Sequence, residues 1–323
     1  MENPPFQLNS NILNLLGEIQ FMLGALQSQA IRKAPVKLRK ENKIKTIQHS
    51  LAIEGNSLNI KQVTDLLDGK KVLGPKHQIL EVQNAIKVYD TLTKFNWNSE
   101  KDLLRAHKLL MHNLVDNPGK YRSGGVGIFK GGVISHLAPS AKYVPELMSK
   151  LFKFLHVKND IHLIIKACVF HYELEFIHPF LDGNGRMGRL WQQLILMKFS
   201  PIFEFLSIET LIHERQKSYY TALEKSDKAG ESTSFVEFSL EVIRDTLTSF
   251  TKDFRPVKIS ADERIELALI KFGSKLFHRK NYLDFHKTLS TAQASRDLKL
   301  AVKKGLIVSK GEKALTKYKK VGK

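Results

Sequence analysis

His178-Pro179-Phe180-Leu181-Asp182-Gly183-Asn184-Gly185-Arg186-Met187-Gly188-Arg189 joins two apolar helical patterns and holds an imidazole, a carboxylate and two arginines within twelve residues. The spacing predicts a helix that starts at Arg186, so backbone N–H groups from Gly183 to Arg186 lack intrahelical partners. Gly183 and Gly185, either side of Asn184, let a ligand approach that backbone closely and permit positive φ. With the helix dipole this makes an anion-binding nest suited to phosphates. Arg186 and Arg189, one turn apart, can add charge-assisted hydrogen bonds to the outer phosphates. Asp182 could hold Mg²⁺, which favours a carboxylate together with phosphate oxygens and water. His178, at the other end of the loop, could take a proton from an attacking hydroxyl. Phe180 reads as the anchor of the loop in the core.

Working outward, residues 160–177 carry a stripe of Ile161, Ile165, Cys168, Tyr172 and Phe176, and Leu190–Phe199 continues helical up to Pro201. Further helices are expected over residues 11–31, from Val36, after Pro75, after Ser99 or Asn98, and over Val144–His156, Ile208–Lys225 and Ser234–Thr251. Residues 116–145 differ, because six glycines there break the helical pattern. Short β-type pieces, Val126–Phe129 and Val133–Leu137, flank Lys130-Gly131, which predicts a hairpin. A long irregular segment inside a compact domain is usually a binding element, so the hairpin reads as a flap. Upstream, Ser50 and Glu54 share one face of the helix from Val36. Gly55-Asn56 then stops that helix, since both tolerate a left-handed cap.

His178–Arg189 resembles, at every defining position, the Fic-family motif His-x-Phe-x-Asp/Glu-Gly-Asn-Gly-Arg-x-x-Arg. The resemblance implies an all-α, Fic-type helical bundle with a small β-hairpin flap, and transfer of AMP from ATP to a Ser, Thr or Tyr hydroxyl of a target protein. It implies that His178 is the general base, Asp182 the Mg²⁺ ligand, and Gly183, Asn184 and Gly185 the phosphate nest. Arg186 and Arg189 would lie on the β- and γ-phosphates. The flap edge Val133, Ile134, Ser135 and His136 would align the target by strand addition, a contact made through the main chain. Tyr219, Tyr220 and Asp227 resemble positions lining the adenine pocket. Ser50-Leu51-Ala52-Ile53-Glu54-Gly55 is similar to the family's inhibitory pattern, Ser/Thr-x-x-x-Glu-Gly/Asn. Glu54 would then pair with Arg189 in the γ-phosphate's place, and Ser50 would help hold the helix. Arg186 stands where kinase-type relatives carry Lys, which favours AMP as the transferred group. Removal of AMP from a modified target, and transfer of another phosphate-linked group, remain alternatives.

Over the whole 323 residues the apolar content, 42%, is that of a globular protein. The most apolar stretch, residues 161–177, is interrupted by Lys166, His171, Glu173 and Glu175, so no membrane span is expected. The opening Met-Glu-Asn-Pro-Pro does not read as a signal peptide. One cysteine, Cys168, excludes an intramolecular disulfide and fits a core position in a reducing, cytoplasmic setting. The expected division is an N-terminal helical region, 1–97, with the inhibitory helix at about 38–56. A Fic domain would follow at 98–252, and a basic module at 257–323 beyond the linker Arg255-Pro256. From Lys271 onward fifteen Lys and Arg face three Asp and Glu, so most of the formal charge of +19 lies there. Helices at Asp262–Phe272, Tyr282–Leu289 and Thr291–Lys304, then a hairpin of Leu306–Ser309 and Ala314–Tyr318, predict a winged helix. Such a module could take DNA, in which case binding would weaken steeply with salt. It could equally contact the target or a second subunit in a homodimer. A DNA-binding regulator with a nucleotide-sensing Fic domain is therefore the competing reading.

Overall fold

The computed structural model describes residues 4–28, 36–125, 127–130, 133–157, 160–253, 260–286, 289–311 and 316–321. Val126, Gly131-Gly132, the expected linker Arg255-Pro256 and residues 312–315 lie outside them. Two units are distinguished, Met1–Phe254 and Arg255–Lys323. The first runs α1 (Ser10–Ser28), α2 (Val36–Ile53), α3 (Ile60–Leu67), α4 (Lys76–Asp90) and α5 (Glu100–Leu110), followed by β1 (Gly127–Lys130) and β2 (Val133–Leu137). It continues with α6 (Val144–His156), α7 (Leu163–Ile177), α8 (Asn184–Phe199), α9 (Ile208–Glu214), α10 (Gln216–Ala229) and α11 (Thr233–Asp253).

α7 is apolar nearly all round and is accordingly buried on almost every side, with α8 packed against it. Ile164, Ala167, Val169, Phe170 and Leu174 of α7 meet Met187, Leu190, Trp191 and Ile195 of α8 in one core. That same core takes in α1 and α2 through Ile12, Ile19, Ile44 and Ile47, so the N-terminal helices and the motif helices share one interior. Lys166, the charge that interrupts the apolar run, donates to Phe154 O (3.0 Å) and Val157 O (2.7 Å). It thereby satisfies carbonyls that the end of α6 leaves open. Among the described residues no helix is long and apolar enough to cross a membrane.

The helix expected from Ile208 to Lys225 is two, α9 and α10, separated at Arg215, whose guanidinium pairs with Asp245 of α11 (2.7 Å). β1 and β2 pair antiparallel, Lys130 with Val133 and Phe129 with Ile134, then Ile128 with His136. Ser135 is the extra residue of that bulge, and the β2 backbone runs beside α10.

The second unit runs α12 (Ala261–Phe272), β3 (Phe277–His278), α13 (Arg279–Phe285), α14 (Thr291–Lys303), β4 (Ile307–Lys310) and β5 (Lys317–Lys320). Ile265, Phe277, Tyr282, Leu298 and Ile307 build its core, separate from the first. The sheet has three strands, in the order β3-β5-β4, where the sequence predicts two. The added strand is two residues long, too short to show an alternation. Asp297 is buried in α14 and takes both ends of the Arg264 guanidinium (2.7 and 2.8 Å), an ion pair that fixes α14 on α12.

Candidate active site

α7 ends at His178, which adopts the left-handed conformation (φ 48°, ψ 59°) while its N–H still donates to Leu174 O. A non-glycine residue there is strained, and the surroundings hold the loop in place. Arg122, 4% exposed, donates from Nε to His178 O (2.7 Å) and from Nη2 to Ile177 O (3.3 Å) and Pro139 O. Its Nη1 reaches Gly124 O (2.9 Å), and its N–H bonds to Pro179 O (2.9 Å). One cation thus covers the carbonyl end of α7, where the helix dipole is negative. Asn184 closes the loop from the other side, accepting from Phe180 N and donating to Phe180 O, both at 2.9 Å.

His107 of α5 lies flat on the Phe180 ring, with centroids 3.7 Å apart. Burial pushes its pKa down to about 4, so the ring is neutral at pH 7. Nδ1 accepts from Gly119 N (2.8 Å), which leaves Nε2–H to donate to Asp182 O (3.0 Å). The Asp182 carboxylate is about half exposed and accepts from Gly183 N (2.6 Å) and Arg186 Nη2 (2.8 Å). Gly183 caps α8 at φ 85°, so the helix starts at Asn184, earlier than the expected Arg186. The four amides after the cap are those a nest needs.

Arg189 is 2% exposed. Its Nη2 donates to Glu54 Oε1 (2.7 Å) and Ser50 O (2.9 Å), and its Nε to Ser50 Oγ (3.1 Å). Burial opposes the Arg189 charge, and the facing groups, Glu54 first with Tyr219 and Glu175, together outweigh it and hold the guanidinium charged. Nη1 is buried with no hydrogen-bond partner. A methyl at Gly185 would lie 2.4 Å from Glu54 Oε1 and 3.1 Å from both Arg189 Nη1 and Glu175 Oε1. The floor of the nest is therefore bare backbone, with two carboxylates and a guanidinium directly over it. Gly55 (φ 91°) ends α2, and Asn56 N returns to Leu51 O, which fixes where Glu54 stands.

His178, Asp182, Gly183, Asn184, Gly185, Arg186 and Arg189 come together with Ser50 and Glu54. Tyr219 is buried, its OH donating to Glu175 Oε1 (3.1 Å), one of the two carboxylates over Gly185. Tyr220 is half-buried beside it, and Asp227 accepts from Tyr172 OH (2.9 Å). Of Val133, Ile134, Ser135 and His136 the backbone pairing is the described part. Sequence reading passed over Arg122, His107, Glu81 and Glu175; of these, only Glu175 carries a local signal, its i−3 spacing from His178.

Glu175 and Glu209 are pushed up to about 7 by burial, Glu175 further by the neighbouring Glu54. A carboxyl raised on folding costs no stability below its unfolded pKa of about 4.5, and the cost is complete above its folded pKa. The wild type is therefore expected to lose Tm relative to Glu175→Gln/Glu209→Gln as pH rises from about 5 to about 8. Thermal melts of both proteins across that range check it, and a difference independent of pH would refute it.

An acidic side chain next to phosphate-type amides fits Mg²⁺, which needs few protein ligands when phosphates supply the rest. Among the described residues no group of three or more His, Cys, Asp or Glu could hold a metal ion.

The Fic/DOC family pattern matches residues 97–196. Protein adenylyltransferase Fic from Culex quinquefasciatus is 30% identical over 243 residues, covering 70% of this chain and 46% of its own length. Its counterpart from Drosophila mojavensis is 29% identical over 253 residues, covering 74% and 47%. The chain thus spans about half the length of these curated relatives. A Fic family protein from Desulfovibrio desulfuricans G20, known from its crystal structure, is 39% identical, with a TM-score of 0.75. That match covers 100% of this chain and 99% of the other. With a site built on the motif and a relative matched from end to end, the chain belongs to the Fic family.

Proposed function

We propose that this protein transfers AMP from ATP to a Ser, Thr or Tyr hydroxyl of a target protein, and that Glu54 holds it off at rest. The observation that carries the reading is the Glu54–Arg189 contact over Gly185. A carboxylate occupies the place where a terminal phosphate would meet the nest and the guanidinium. The unused Arg189 Nη1 is a donor left over for such a phosphate. The related adenylyltransferases support the group transferred.

In the active state the triphosphate lies along the Gly183–Arg186 amides, with Arg186 and Arg189 on its outer phosphates. Asp182 would hold Mg²⁺, which supplies charge neutralisation for the leaving pyrophosphate. The target backbone adds to the β2 edge at Val133–His136, and Tyr220 and Asp227 face the adenine. His178 takes the hydroxyl proton as the oxygen attacks the α-phosphorus and the bond to pyrophosphate breaks. The amides and arginines are in place before the charge develops, which is where such donors contribute most.

The second unit reads as a winged helix, supported by its order of helix, strand, two helices and two strands, with α14 in the recognition position. Its basic surface would recruit a target, or DNA.

Intact-mass measurement of Glu54→Gly after incubation with ATP and Mg²⁺ tests the group transferred. A gain of one or more AMP moieties on the chain is expected. A gain of phosphate alone would replace adenylyl transfer with phosphoryl transfer, and loss of AMP from a modified target would reverse the direction.

A further inference from the structure

Glu81 of α4 stands between the two halves of the site and belongs to neither. Its Oε1 accepts from Arg186 Nη1 (2.7 Å), and its Oε2 from Asn56 Nδ2 (2.8 Å). Arg186 is 6% exposed and, among the described residues, meets no other acceptor than Asp182 Oδ1, while its Nε is buried without a partner there. Asn56 is itself fixed on every side. It donates to Gln78 O (3.1 Å), accepts from Leu58 N (3.0 Å), and its backbone closes the end of α2. Both oxygens of Glu81 are thus committed, so its position does not depend on rotamer freedom at the surface.

We propose that Glu81 is a positioning residue for phosphate recognition, acting by fixing the guanidinium plane of Arg186. The proposal rests on the adenylyltransferase reading, in which Asp182 turns to Mg²⁺ and Arg186 to a phosphate. When Asp182 leaves, Nη2 is freed and the guanidinium keeps one protein acceptor among the described residues, Glu81 on Nη1. A buried arginine with no acceptor would swing toward whichever carboxylate or carbonyl is nearest, because leaving a charged donor unpaired is costly. With Nη1 anchored, the guanidinium plane is fixed, and Nη2, which Asp182 holds at rest, is set for a phosphate before ATP arrives. The same carboxylate links Arg186 through Asn56 to the end of α2. Both motif arginines are then tied to the inhibitory helix, Arg189 directly and Arg186 at one remove.

The test separates position from charge. Glu81→Gln and Glu81→Ala both remove the negative charge, but only glutamine keeps an oxygen for Nη1. In full-length Glu54→Gly protein with Mg²⁺, calorimetric titration with ATP is expected to give a dissociation constant about tenfold weaker for Ala than for Gln, a gap typical of two groups in direct contact. On the Glu54→Gly/Arg186→Ala background that gap is expected to close, since Glu81 then has nothing to orient. Equal affinity of the Gln and Ala forms would overturn the proposal, as would a gap that persists without Arg186. A parent that binds ATP yet transfers nothing defeats the enzymatic reading and leaves the cycle interpretable. A parent that does not bind ATP defeats both.

Discussion

Glu54→Gly is expected to raise the initial rate of AMP transfer on the order of a hundredfold, the gain from a latch that leaves about one molecule in a hundred competent. The glycine removes the carboxylate that lies over Gly185 and pairs with Arg189 Nη2, while Ser50 O and Ser50 Oγ still orient the guanidinium. Two changes act together. The space above the nest opens, and the end of α2 becomes Gly-Gly, which loosens its last turn. Glu54→Gln should activate far less, since its amide oxygen fills the same space and still accepts from Arg189. Label incorporated from α-labelled ATP with Mg²⁺ reads both variants, and equal labelling of wild type and Glu54→Gly would rule out the latch.

Adding His178→Ala to Glu54→Gly is expected to cut transfer by about a thousandfold, within the range that a positioned general base contributes. ATP binding should stay close to that of Glu54→Gly, because the nest and both arginines are supplied by α8 and not by the imidazole. A rate loss without an affinity loss marks a group that acts on the proton. Parallel loss of both would instead mean that the loop had collapsed. Rates under saturating ATP, set beside a calorimetric titration, separate these outcomes.

The parts of the site that were legible in the sequence are those whose chemistry is local. His178 to Arg189 is one continuous loop and helix start, and Ser50 with Glu54 is an i, i+4 pair, so spacing alone places their side chains. Glu81, His107 and Arg122 were not legible because each acts across the chain. Glu81 meets Arg186 at a separation of 105 residues, and His107 meets Asp182 at 75. Among the described residues the Arg122 side chain bonds to backbone carbonyls, contacts that leave no residue-type pattern at the other end. The break between α9 and α10 was hidden for a related reason. No Gly or Pro marks it, and the ion pair from Arg215 to Asp245 is a feature of tertiary packing.

His178 keeps a backbone conformation that costs a residue with a Cβ about 1 kcal/mol or more. Arg122, Asn184 and His107 hold it there, so the strain is carried by the fold at all times and not at the moment of reaction. Selection for folding stability alone would favour asparagine or glycine at position 178, where that conformation is easily reached. If His178 takes the hydroxyl proton as proposed, it marks a place where chemistry is kept at the expense of stability, and a lineage released from the need for transfer would be free to drift away from it.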